Sequence, residues 1–278
     1  MSSILDASAS AYYHRATGKR SERVVDDEQL LGVIKTTHEA NYCAYGYRKM
    51  WLALKRAGHQ VGRDHVKRLM RAHAIQGAKR RGKPWRTTIA DASATRAPDL
   101  VNRDFTATAP DELWVADFTY LRCWEGVVFF SFVIDVFSRR IVGWQFTSTM
   151  RTDLVLDALR MALTRRRAGA DVELVHHSDA VSQYTSFAFN QALEDHGVLA
   201  SIGSVDAYDN AMAESFVDTF KTELISDRVW RTQTQLELAI VEWVAWFNND
   251  RLHESLGDIP PAEFETLSSS STVDLLIS

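Results

Sequence analysis

Apolar positions along this chain follow two rhythms, one up to about residue 75 and another beyond residue 111. In DDEQLLGVIKTTHEA, Leu30, Leu31 and Ile34 recur at helical spacing and predict a helix. YGYRKMWLALKRAG sets Met50, Trp51 and Leu54 along one stripe, and Gly58 is placed to close the helix in a left-handed conformation. RDHVKRLMRAHAI, starting near Asp64, repeats the stripe with Val66, Leu69, Met70 and His73. Two short amphipathic helices joined by a glycine-containing turn predict a helix-turn-helix.

Beyond residue 111 the rhythm becomes that of an α/β layer fold. LWVADFTYLRC, VVFFSFVIDVFS and RRIVGWQFTST read as three strands joined by short turns, an antiparallel meander. RTDLVLDALRMALTRRR reads as a helix, ELVHHSD as a strand, TSFAFNQALEDHG as a helix and LASIGS as a strand. Helices from about Asn210 to Ile225 and from Thr234 to Asn248 follow, then a turn at Pro260 and Pro261. The predicted order is β-β-β-α-β-α-β-α. Domain boundaries read as a helical region over 1–75, a linker over 76–111 without periodicity, a core over 112–266 with a C-terminal helix, and a Ser-rich tail over 267–278.

Charge divides the chain at nearly the same place. The net charge is -4, yet residues 1–100 hold 19 Lys and Arg against 9 Asp and Glu, and the remainder is strongly acidic. Within 45–86 there are thirteen basic residues and one acidic residue, Asp64. Such a segment attracts phosphate by counterion release and long-range steering, whereas a merely solvated basic face is the plainer alternative. If the second helix enters the major groove, Arg63, Lys67, Arg68 and Arg71 are the DNA-contacting candidates, and Lys79, Arg80, Arg81, Lys83 and Arg86 in the linker would track phosphates. Cys43 and Cys123 stand apart and suggest neither a disulfide nor a thiolate zinc site, so both are expected as buried or half-buried side chains. The sequence offers no apolar run of membrane-spanning length and no leader pattern, so cytoplasmic residence is expected, on the nucleoid when DNA is bound.

The chemistry gathers on acidic residues. Asp117 interrupts an apolar strand in which Trp114, Ala116, Phe118 and Tyr120 share one face, and a carboxylate on the other face is costly to desolvate unless paired, protonated or metal-bound. Asp179 ends the strand ELVHHSD, where ligand sites gather in open α/β sheets. Glu214 falls one turn inside a helix with Asp209 or Asn210 as its expected cap. Three oxygen ligands without His or Cys select a hard cation, magnesium, with manganese able to stand in. Two such ions, about 3.5 to 4 Å apart, would clamp the attacking and leaving oxygens of an in-line displacement at phosphorus. His176 and His177 are adjacent on a strand and face opposite ways, which favours packing or substrate contact over metal binding. Lys221, two helical turns after Glu214, could hold a DNA phosphate or be an ordinary exposed lysine.

ELWVADFTY, HHSDAVSQYTS, DAYDNAMAESF and FNNDRLHESLGDIPPAEF, with SAYYHR, YGYRKMWLALKRAG and HVKRLMRAH ahead of them, resemble bacterial insertion-sequence transposases. The likeness is to the downstream-frame product of two-frame elements, whose core is similar to that of retroviral integrase. The resemblance implies an RNase H-like core, a mixed five-stranded sheet with flanking helices, behind a small all-α helix-turn-helix domain. It implies a D,D,E triad at Asp117, Asp179 and Glu214, and divalent-metal-dependent cleavage at element ends followed by transfer of the freed 3′-hydroxyl into other DNA. Implied partners are double-stranded DNA at terminal inverted repeats and target sites, an upstream-frame product or fusion segment, and further copies of the chain on DNA.

Two departures from that family fall beside the triad. Val181 stands where the family generally has glycine, and SVDAYDN is one residue short, leaving 34 residues between Asp179 and Glu214. Because valine resists a positive φ and a shortened loop could tilt the Glu214 helix, an impaired copy is the expectation. The alternatives are a non-catalytic or degenerate DNA-binding regulator and an RNase H-like nuclease.

Overall fold

The computed structural model describes residues 20–79, 97–166, 173–203, 210–226 and 228–277. The chain divides into two compact units, Met1–Ala78 and Lys79–Ser278. In the first, α1 (Glu22–Ala40), α2 (Tyr47–Arg56) and α3 (Arg63–Ala72) bury Leu30, Ile34, Met50, Leu54, Val66, Leu69 and Met70 against one another. Met50 and Leu54 are buried as their spacing predicts, while Trp51 is half-buried and its indole N–H donates to the carbonyl of Val61 at 2.9 Å. Gly58 takes φ +90°, the left-handed closure expected of it. His73 does not extend the α3 stripe: it is the exposed residue that ends the helix, where the chain already turns away. Cys43, expected to be buried or half-buried, is exposed: it lies in the turn after α1, where Tyr42 and Cys43 both adopt left-handed φ.

Residues 76–78, expected as the start of a linker, fold back onto this unit. The Ala78 N–H donates to Ala44, and a Cβ on Gly77 would lie 2.5 Å from the backbone nitrogen of Gly46. Only glycine allows that approach.

The second unit is built on a five-stranded sheet in the order β3-β2-β1-β4-β5. β1 (Leu113–Cys123), β2 (Gly126–Asp135) and β3 (Ile141–Thr147) form the antiparallel meander, and β4 (Val175–Ser178) and β5 (Leu199–Ile202) add in parallel on the other side of β1. Alternation along β1 gives the sheet two apolar faces. On one, Trp114 and Ala116 pack with Val133 and with Val155, Leu159 and Leu163 of α4 (Thr152–Arg166), alongside Phe189 and Leu193 of α5 (Phe187–Glu194). α4 lies so close to the sheet that a Cβ on Gly143 would sit 2.1 Å from the Ala158 carbonyl oxygen. On the other face, Phe130 and Phe132 meet Phe220 and Phe216 of α6 (Ala211–Phe220), with Trp243 and Phe247 of α7 (Gln233–Asn249) closing the layer.

Two expectations fail at the edges of this unit. Residues 97–111 do not behave as a free spacer. The Leu100 N–H donates to Ser201 Oγ at 2.9 Å, Ile202 N–H donates to Pro98, and Val101 is buried, so the segment is fastened along β5. Nor is the Ser-rich end a loose tail: α8 runs from Pro261 to Ile277. Ser268, Ser269 and Ser270 each return their hydroxyl to the carbonyl four residues back, at 2.8 to 2.9 Å, so their competing donors are satisfied within the helix.

Candidate active site

β1 and β4 pair in parallel through Val115↔His177 and Ala116↔Ser178. The next residues along the two strands are Asp117 and Asp179, so two carboxylates emerge side by side where the ladder ends. A parallel sheet leaves its ligand-facing loops at this carboxyl end. Asp117 Oδ1 accepts from the Phe118 N–H at 2.7 Å, bending the carboxylate toward its own strand.

Glu214 arrives from α6. Asn210, expected as a possible cap, makes no side-chain capping bond. Its buried amide instead donates to the Ala116 carbonyl at 3.1 Å, tying the start of α6 to the residue before Asp117. Ring contacts of Phe216 with Phe132 (4.3 Å) and Phe220 with Phe130 (4.8 Å) then seat the helix on the sheet, while Glu214 stays exposed. The helix continues through a π-helical turn, Lys221–Ile225. There Glu223 accepts from Arg251 at 2.7 and 2.9 Å, both side chains nearly buried. That pair fastens the end of the Glu214 helix to the chain leaving α7, and π turns often stand at functional positions. Arg251 lies in FNNDRLHES, but nothing in the sequence marks Glu223 as its partner 28 residues away.

The electrostatics tie the three carboxylates together. Burial, then the charge of Asp179 and more weakly that of Glu214, push the Asp117 pKa up to about 8; the Phe118 N–H and Lys221 act in opposition. An uncompensated carboxylate here would hold its proton at neutral pH, so the ionised set calls for added positive charge. Among the described residues no three His, Cys, Asp or Glu side chains are already grouped as an ion cage. An oxygen-only donor set with excess negative charge fits a hard divalent cation that keeps several of its own waters.

Lys221 Nζ lies 5.3 Å from the Tyr120 ring centre, within reach of Asp117 and Asp218; burial lowers its pKa against their pull. His176 is buried between Tyr184 and Phe189, and burial, then His177, bring its pKa down to about 3, so it packs as a neutral ring. His177 Nδ1 is 2.9 Å from Ser201 Oγ and its ring meets Phe105 edge-on. Val181 is accommodated without left-handed φ: its side chain joins the core beside Tyr184, and its N–H donates to Asp179 at 2.8 Å. The shortened loop before Asn210 lies outside the described residues.

In the first unit Arg63 and Arg71 are exposed on α3. Arg68 donates through one nitrogen to both oxygens of Asp27, at 2.7 and 2.8 Å, and His65 adds a 2.6 Å contact. Arg68 then His65 thereby hold the Asp27 pKa below the usual carboxylate range. Lys67 Nζ stands 5.1 Å from the Tyr47 ring centre. Lys79 is exposed, and Arg80, Arg81, Lys83 and Arg86 lie outside the described residues. No helix among the described residues is long and apolar enough to cross a membrane.

The integrase core domain family matches residues 107–206 and, through a second family of the same description, residues 199–261; an HTH-like domain matches 25–83. The transposase for insertion sequence element IS629 of Shigella sonnei is 47% identical over 269 residues, 95% of this chain and 89% of that protein. The transposase for IS904 of Lactococcus lactis is 33% identical over 251 residues, covering 90% of this chain and 98% of that protein. Among solved structures, a chain of the simian T-cell lymphotropic virus intasome complex is 12% identical with a TM-score of 0.47, covering 84% of this chain and 73% of that one.

Proposed function

Because the chain belongs to the insertion-sequence transposases that carry an integrase core domain, we propose that Asp117, Asp179 and Glu214 are its catalytic carboxylates and cleave and join DNA at element ends with divalent metal. The observation that carries the reading is the shared register of Asp117 and Asp179 at the end of the β1–β4 ladder, with the Glu214 helix pinned to Ala116. Magnesium, as two ions with manganese a possible substitute, would supply Lewis acidity at the scissile phosphate and offset the charge the three carboxylates carry.

The chain's own residues supply position. Asp117 stands on β1 and Asp179 directly follows the last residue of β4, whereas exposed Glu214 can swing inward on a helix fixed at both ends. Lys221, already drawn toward Asp117, holds a phosphate oxygen beside the carboxylates. In the first unit Arg63, Lys67 and Arg71 on α3, with the basic run at Lys79, Arg80, Arg81, Lys83 and Arg86, grip the duplex, while Arg68 braces α3 against α1 through Asp27. Two element ends must be held together, so the working assembly is a multimer on DNA, joined by an upstream-frame product or fusion segment. The ordinary φ and packed side chain of Val181 support an active copy over a degenerate regulator.

The test is joining of terminal-repeat oligonucleotides to target duplex by the purified chain, with and without the upstream segment, in magnesium. Asp117→Asn, Asp179→Asn and Glu214→Gln are each expected to lose joining by at least roughly a hundredfold while keeping duplex binding. Joining at wild-type rate in any of them would remove that residue from the chemistry.

A further inference from the structure

Asp64 is the one acidic residue among thirteen basic residues of 45–86, and it stands exposed in the first turn of α3. A carboxylate on a surface that approaches phosphates weakens binding to every sequence alike. The ordinary explanation is an intrahelical ion pair with the residue three or four positions on. Here both partners are engaged elsewhere: Arg68 forks onto Asp27, and Lys67 leans over Tyr47. Among the described residues the Asp64 carboxylate forms neither an ion pair nor a hydrogen bond, yet it lines one shallow concavity with Lys67, Arg68, Arg71 and Ala72. Its outward face is therefore the same as that of the basic side chains, opposite buried Val66, Leu69 and Met70.

We propose that Asp64 reads sequence, accepting a hydrogen bond from the exocyclic amino group of cytosine in the major groove. The inference rests on the reading of α3 as the groove-entering helix, whose first turn is the part that meets base edges. A carboxylate can only accept, and cytosine N4 is the donor it matches at a G·C pair. Lys67 and Arg71, one and two turns along, neutralise flanking phosphates and hold the helix at the depth this contact needs. Asp64 thus trades general affinity for discrimination at a single base pair.

The test is selection of the full chain on a randomised duplex library at fixed salt, run for wild type, Asp64→Ala and Asp64→Asn. Wild type should enrich cytosine at one position; Asp64→Ala should lose that preference, bind the selected duplex roughly tenfold more weakly and bind random duplex more tightly. Asp64→Asn should shift the preference at that position to adenine, whose N6 and N7 an amide meets in two bonds. An unchanged preference in Asp64→Ala overturns the proposal. So does equal weakening on all sequences with reduced helicity by circular dichroism, which would mark Asp64 as a helix-terminus stabiliser. If wild type selects no sequence at all, the groove-entering role of α3 falls, and this inference with it; a wild-type preference that Asp64→Ala keeps unchanged overturns this inference and leaves that role standing.

Discussion

The side-chain amide of Asn210 donates to the carbonyl of Ala116 across 94 positions of sequence, joining the helix of one candidate catalytic carboxylate to the strand of another. Asn210 is buried and lies four residues before Glu214, while Ala116 directly precedes Asp117. Asn210→Ala should therefore loosen the register between α6 and β1. The expected outcome is a fall of about tenfold or more in joining rate, with a stability loss of roughly 1–3 kcal/mol for the orphaned carbonyl. Denaturant unfolding and single-turnover joining measure the two separately, and an unchanged joining rate would show that Glu214 is held by the aromatic layer alone.

Asp117 sits where burial and Asp179 disfavour its ionised form. Asp117→Asn removes that burden, so the metal-free protein should melt higher, by roughly 2–4 °C for a unit of this size, while joining is lost. Magnesium should stabilise wild type and leave the variant unmoved, because only a native state that binds the ion gains from its concentration. Thermal melts with and without 10-fold steps in magnesium decide it; an equal magnesium response in both proteins would take Asp117 out of the ion site.

Glu223 and Arg251 form a nearly buried, doubly bonded pair at the π turn that follows α6. Removing one partner strands the other, so Arg251→Ala should lose about 3–5 kcal/mol, and the double variant Glu223→Leu, Arg251→Met should lose much less. Urea denaturation of wild type and the two variants compares the cost of stranding one charge with that of replacing the pair. Equal losses in the single and double variants would mean the pair acts through packing over Phe247 rather than through charge.

Much of this arrangement is visible in the sequence because it depends on local pattern. The alternation around Asp117, the strand ending at Asp179 and the helical spacing around Glu214 each follow from neighbouring residues. A meander followed by a crossover permits the adjacency of β1 and β4 without requiring it, and the pairing itself comes from the structure. The pattern does not reveal partners chosen at long range. Arg68 reads as an exposed basic residue until Asp27, 41 positions away, takes its guanidinium. Asn210 reads as a cap until Ala116 claims its amide. The Ser-rich end reads as a tail because each serine lowers helix propensity, whereas in the structure the hydroxyls of Ser268, Ser269 and Ser270 turn back onto carbonyls of the helix itself.

Gly143 lies inside the run read as the third strand, and the structure shows why a glycine stands there. A methyl there would meet the Ala158 carbonyl at 2.1 Å and Ala162 at 2.9 Å, both on α4. Backbone cannot retreat as a flexible side chain can, so Gly143→Ala should displace α4 from the sheet. The expected loss is at the upper end of roughly 1–3 kcal/mol, read as a lower denaturation midpoint with little change in slope. A midpoint within experimental scatter of wild type would mean that β3 can slide at Val142, where its register shifts opposite Val133 and Ile134 of β2.

Glu265 provides a test by acidity. It lies nearly buried on α8, bonded to Arg166 and, at 2.6 Å, to Arg140. Burial pushes its pKa up, but the bonds from Arg166, Ser138 and Arg140 outweigh burial and leave the carboxyl below the usual glutamate range. A depressed folded-state pKa stabilises the fold above the unfolded value, about 4.3 for glutamate, and that contribution fades as pH falls through the folded value. Wild type should therefore lose stability between about pH 4.5 and more acidic conditions. Glu265→Gln should be less stable than wild type at pH 7, and the gap should narrow as the buffer is acidified below pH ~4. Asp27 is also depressed, but it lies in the other compact unit and cancels between the two proteins, so the difference reports Glu265 together with Asp111, whose raised pKa depends in part on the Glu265 charge. A gap that stays constant from pH 7 to pH 3 would mean that Glu265 contributes by filling space between α4, α8 and the β2–β3 turn, with its charge immaterial.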